Sequence, residues 1–386
     1  MSGHLDPVSR GRQVPGCPHV GAALAVCVAF CAAGCSPTYW ALASEDRVPE
    51  FASLKAAAAE QPRRVMRVGV RRNPGRTVRL ALHETGSGRR DRVVVLLHGV
   101  FSDSRAWKFV RGDLGADHDL LAIDLPGAGR SDHPAPSDLG PRGYAPEAMA
   151  RDVLAALRWY VARRHHAPDI TLVGHSLGGT VALRMLTDPV LLRQFPDVTG
   201  AVDTVVLLAP VDPAGSPDVD HSFFDRLATV SGRQVCMADL SGALREQAAV
   251  GARRNVVDPR RATREDADWA IEILKDSPRR RAMQAMLRQA APPAPAPPGS
   301  VREDYARLRA PVLVVVGERE PWVPPRLARE LADVLPDGEV RVVERARHSL
   351  PTECPTLLSG IIREFIAARA GHRPPRPTAR PSPSPG

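Results

Sequence analysis

The sequence predicts an α/β fold: a mostly parallel, doubly wound sheet of about eight strands, with a cap of helices inserted late in the chain. Three observations predict it. Apolar runs of strand length, rich in Val, Ile and Leu, recur along the chain, as strands buried on both faces require. Stretches with apolar residues at helical spacing lie between most of them, which gives the strand–helix–strand rhythm of a parallel sheet. From about Asp212 to Arg309 that rhythm stops, and only helical pieces remain.

The elements follow in order. "RVMRVGVRR" and "TVRLALHET", separated by "NPG", predict a hairpin. "DRVVVLLHG" and "DLLAIDLPG" are continuous apolar runs ending in glycine and predict buried strands. "YAPEAMARDVLAALRWYVARRHH" places Met149, Val153, Leu154, Leu157 and Val161 on one side of a helix. "DITLVGH", "VDTVVLLAP" and "PVLVVVGE" predict further buried strands, and "EVRVVER" the last. "VPPRLARELADVL" and "CPTLLSGIIREFIAARA" predict helices around that last strand. "SFFDRLATV", "LSGALREQAAV" and "REDADWAIEILKD" predict cap helices, followed by the spacer "APPAPAPP". No internal repeat is evident.

The two ends differ from the body. Arg10 and Arg12 precede an apolar stretch from Val20 to Cys35, the layout of a secretory signal and short for a membrane span. "AAGCS" resembles the bacterial lipobox, although Ala32 stands where leucine is preferred; the resemblance implies lipidation of Cys35 and a lipid anchor in a membrane. Ordinary cleavage, giving a secreted or periplasmic protein, and an uncleaved anchor are the alternatives. All three place the body outside the cytoplasm. The expected division is a signal peptide at 1–34, a polar, alanine-rich tether at 35–62, a core of 63–211 with 310–370, a helical cap with its proline-rich spacer at 212–309, and a disordered proline-rich tail at 371–386.

Composition narrows the function. The 386 residues carry a formal charge of +9, but only Lys55, Lys108 and Lys275 among the 52 basic residues are lysine. That skew looks like coding bias. Both signs are interspersed over the body, with no basic helix face and no aromatic interleaving, so nucleic acid is not an expected partner. Cys236 and Cys354, the two body cysteines, show no metal-ligand spacing. We read them as two separate buried thiols, with a disulfide between them as the alternative.

The chemistry centres on "GHSLGG", Gly174 to Gly179, set between a predicted strand and a predicted helix. G-x-S-x-G at such a junction predicts a turn so tight that side chains two before and two after the serine would strike backbone. Ser176 would then stand proud of the sheet at a helix N-terminus, where free N–H groups stabilise negative charge. A hydroxyl needs a base, and on this scaffold the chain order is serine, acid, histidine. His348, in "RARHSLPTECP" after the last strand, is the candidate base. It must be neutral to accept a proton, so activity should rise as pH climbs out of the histidine range. The oxyanion hole is expected from the backbone N–H of Leu177 and, from the "HGV" turn, that of Val100. His98 and His175 are expected to be structural.

Taken together, "LLHGVFSDSRAW", "AIDLPGAGRSD", "LVGHSLGG", "VVVGEREPWVP" and "RHSLPTECP" resemble the α/β-hydrolase fold superfamily, over about Arg63 to Ala370. The resemblance implies hydrolysis of an ester or related acyl bond of a small molecule through an acyl-serine, with no cofactor and no metal. The family pattern after the seventh strand puts Glu320 in the acid's place, with Val323 and Pro324 completing it; Asp212 in "LLAPVDP" is the alternative, and Glu318 lies too early. The loop "DLPGAGRSD" is expected to shape the pocket. An acyltransferase, a peptidase, a carbon–carbon bond hydrolase and a catalytically silent binding lipoprotein remain open at this point, as does the oligomeric state.

Overall fold

The computed structural model describes residues 36–61, 63–72, 75–210, 222–290 and 300–369. Eight strands form one sheet: β1 Arg63–Arg71, β2 Thr77–Thr85, β3 Arg92–Leu97, β4 Asp119–Asp124, β5 Asp169–His175, β6 Val202–Leu208, β7 Val312–Gly317 and β8 Gly338–Val343. Their order is β1-β2-β4-β3-β5-β6-β7-β8. β1 and β2 form the antiparallel hairpin, and β2 pairs antiparallel with β4. From β4 to β8 all neighbours are parallel.

The longer helices are numbered in chain order: α1 Pro49–Glu60, α2 Lys108–Leu114, α3 Pro146–Val161, α4 Leu177–Thr187, α5 Ser222–Thr229, α6 Gly232–Leu240, α7 Ala243–Arg254, α8 Arg264–Lys275, α9 Ser277–Gln289, α10 Pro325–Val334 and α11 Pro355–Arg369. The period-2 geometry of a strand sends alternate residues to opposite faces. Val93, Val95 and Leu97 of β3 therefore join a core with Met149, Val153, Val181 and Leu331, from α3, α4 and α10. Val94 and Leu96 join a separate core with Val110, Leu114, Ile361 and Ile362, from α2 and α11. Apart from polar residues at their starts, such as Arg92 and Asp203, which pair with each other, the central strands have an apolar layer on each face, which is why those runs do not alternate in the sequence.

Between β6 and β7 the described residues contain no strand. Helices α5 to α9 build the cap, and Val235, Leu244, Ile273, Leu274 and Met283 make its own small core. Capping boxes at Ser231/Gln234 and Thr263/Asp266 start α6 and α8.

Two expectations need correction. The segment assigned to a tether is not one over its described part, 36–61. It holds a short helix at Pro37–Trp40 and then α1, and it packs against both cap and core. Phe51 is fully buried and stacks on Phe109 of α2, with centroids 4.0 Å apart. Tyr39 and Leu42 enter a core with Ala248, Ala249 and Val256 of the cap. Ser36 and Ser44 donate to Glu246 and Glu265 at 2.7 and 2.8 Å. A few large anchors among alanines and charges suffice to dock it, and such sparse spacing resembles a linker in sequence. The second correction concerns the thiols. Cys236 is exposed on α6; Cys354 is half-buried, and burial pushes its thiol up to about 12. They are not joined. The signal segment with Cys35, the spacer at 291–299 and the tail lie outside the described residues.

Candidate active site

Ser176 sits between β5 and α4 with φ 52° and ψ −120°, a left-handed conformation that strains any residue but glycine. The turn is held because its neighbours leave no alternative. A Cβ on Gly174 would lie 2.5 Å from the Gly178 carbonyl oxygen, and one on Gly178 would lie 2.3 Å from the Leu97 carbonyl oxygen. The Ser176 N–H donates to the Leu208 carbonyl of β6 at 2.8 Å, which pins the turn to the sheet. Leu177 is the first residue of α4, so its N–H has no carbonyl a turn earlier to bond. Sequence spacing predicted this turn, and the geometry agrees.

His348 lies in the loop after β8. Its Nδ1 is 3.0 Å from both carboxylate oxygens of Glu320, which is in the loop after β7. The Glu320 side chain is fully buried and that of His348 nearly so. Glu320 Oε1 also accepts from the backbone N–H groups of Trp322 and Val323, at 2.9 and 3.4 Å. A carboxylate facing Nδ1 selects the tautomer with its proton there and leaves Nε2 as the basic nitrogen. Glu318 is turned away; its carboxylate accepts from the Arg345 N–H at the exposed rim. Asp212 lies outside the described residues.

The other two histidines have structural partners. His98 Nδ1 donates to the Gly99 carbonyl at 2.8 Å, and its Nε2 accepts from the Leu125 N–H at 3.0 Å, tying the "HGV" turn to the end of β4. Burial holds its pKa below the usual histidine range. His175 Nε2 donates to the His348 carbonyl at 2.9 Å, and the two rings lie 4.8 Å apart. Burial, with the neighbouring His348, pushes His175 down to about 3.

Ser176, His348, His175 and Val100 all face one cavity of about 520 Å³ between the sheet and the cap. Its walls are mainly apolar and come largely from the cap: Phe223, Leu227, Val235, Leu244 and Leu274 are among them. Phe101, next to Val100 in the turn after β3, has φ 61°, a second strained non-glycine residue at the cavity. Nothing in its residue type announces that conformation. Sequence reasoning also missed Trp322 and Asn255. The Trp322 Nε1 donates to Asn255 Oδ1 at 2.9 Å, joining the Glu320 loop to the end of α7.

A family model described as "Alpha/beta hydrolase family" matches residues 94–359. An uncharacterized protein of Mycobacterium tuberculosis is 28% identical over 293 residues, covering 75% of this chain and 78% of that one. Rhodomycin D methylesterase DauP of Streptomyces sp. (strain C5) is 26% identical over 281 residues, covering 68% and 86%. Among solved structures, the esterase RhEst1 from Rhodococcus sp. ECU1013 superposes with a TM-score of 0.59 at 23% identity, over 80% of this chain and 99% of that one.

Proposed function

The chain belongs to the alpha/beta hydrolase family, and from that premise we propose that it is an extracytoplasmic serine hydrolase of carboxylic esters, working through Ser176, His348 and Glu320. The observation that carries the reading is the buried Glu320–His348 pair opening onto the cavity that the Ser176 turn also faces. In the proposed reaction, the Ser176 hydroxyl attacks the ester carbonyl as His348 Nε2 takes its proton. The oxyanion accepts hydrogen bonds from the N–H groups of Leu177 and Val100. Glu320 holds the imidazole in the reactive tautomer and stabilises the imidazolium. His348 then returns the proton to the departing alkoxide, and water attacks the acyl-serine by the same route in reverse.

The apolar cavity favours an uncharged, hydrophobic ester, and its volume falls in the range of small-molecule sites, roughly 300–1,000 Å³. The methylesterase relative is in keeping with ester chemistry. A fluorophosphonate probe should label the wild type and not Ser176→Ala. A wild type that stays unlabelled at neutral pH would overturn the proposal.

The location rests on the basic-then-apolar N-terminal segment ending in Cys35. In a bacterial host, labelled palmitate should be incorporated into the wild type and not into Cys35→Ala; equal labelling would remove the anchor from the proposal.

A further inference from the structure

Asn255 caps the C-terminal end of α7 and grips both loops that carry the Glu320–His348 pair. Its side-chain oxygen accepts from Trp322 Nε1 at 2.9 Å, and its backbone carbonyl accepts from the Ser349 N–H at 3.1 Å. Trp322 lies two residues after Glu320 and gives its own backbone N–H to the Glu320 carboxylate. Ser349 follows His348 directly. Asn255 therefore ties the carboxylate loop and the imidazole loop to the same end of α7.

The seam around it is built to hold. Phe223 of α5 stacks on the Trp322 ring at 5.1 Å and 27°, and the Arg254 guanidinium lies 4.4 Å from the ring centre. On the histidine side, buried Glu353 accepts from the Val257 N–H of the cap and the Arg347 N–H of the His348 loop. The Arg347 guanidinium reaches the carbonyls of Arg253, Arg254 and Val256. These cap contacts fall on the two short stretches that flank the acid and the base.

We propose that Asn255 is a positioning residue of the reaction, through which correct seating of the cap aligns Glu320 against His348. This rests on the serine-hydrolase reading above. An amide suits the role: it offers an acceptor to the indole without putting a second charge beside the imidazole. The cap then does more than wall the cavity. A cap displaced at α7 would pull on the acid and the base together.

The test uses the full chain and p-nitrophenyl acetate, an ester too short to fill the cap's apolar wall. Asn255→Leu removes the acceptor at similar volume, and Trp322→Phe removes the donor. Each should lower kcat about 10-fold with KM changed less than about 2-fold, because misplaced catalytic groups weaken only the transition state. The double variant should be no slower than the worse single one, since both break the same link. A downfield His348 Nδ1 proton resonance, present in the wild type, should weaken or shift in both variants. That arm needs no turnover. An inert wild type would count against the serine-hydrolase reading alone, and the resonance would still decide this one. Penalties that multiply in the double variant, or single variants with wild-type kcat and an unchanged resonance, would overturn the role of Asn255.

Discussion

At the scale of single residues, the acid of the proposed reaction is a glutamate, Glu320, paired with His348. The glutamate side chain lets both oxygens reach the His348 Nδ1 while one also takes the Trp322 N–H. Glu320→Gln replaces an acceptor with a donor beside Nδ1 and favours the wrong tautomer. Its kcat should fall by about 10³–10⁴, measured with a soluble ester. Asp212→Ala should stay near wild type; the reverse outcome would move the acid to Asp212. The tight turn at Ser176 and the pairing of His348 with Glu320 were legible because each of these residues stands in a motif with a fixed place in the chain order. Asn255 and Trp322 were not. Their meaning comes from a contact between residues 67 positions apart, which no local pattern encodes.

At the scale of elements, the central strands were legible because burial on both faces leaves an unbroken apolar run, whereas β1 alternates and β8 is mostly exposed. The loop after β4 was read only as pocket-shaping, and Asp124 explains its form. Its carboxylate accepts from the Ser104 and Arg130 N–H groups and pairs with His83 at 2.8 Å, joining three segments. Burial alone would raise this carboxyl; the His83 bond and charge, with the charge of His98 and the Arg130 N–H, outweigh it and hold the group down at about 2. A carboxyl depressed in the fold adds stability that is present above its unfolded value near 4 and is lost as pH falls toward 2. The size is about 2 kcal/mol. Asp124→Asn should therefore be less stable than wild type at neutral pH, with the gap closing in acid. Thermal unfolding across pH 2 to 7 checks this, and a constant gap would mean the charge is not the cause.

At the scale of the whole molecule, the two-layered core, the inserted cap and their order were legible from rhythm alone. The docked segment at 36–61 was not, because alanine-rich sequence with a few large residues suits a linker as well as a packed helix. Phe51→Ala decides its weight. Loss of a fully buried ring stacked on Phe109 should cost about 3–5 kcal/mol, read as a lower Tm and denaturation midpoint. A change within experimental error would return the segment to the status of a linker.

The long reach of that segment also sets an order of assembly. Ser36 bonds Glu246 across 210 positions, and Glu50 accepts from Thr356 across 306. A polypeptide emerging from its N-terminus must hold Tyr39 and Leu42 without their partners until most of the remainder has been made. Closing loops of that length is slow, since chain entropy is lost before any contact compensates. Phe51 can meet Phe109 far earlier in synthesis, so the two ends of the one segment are left to dock at different times.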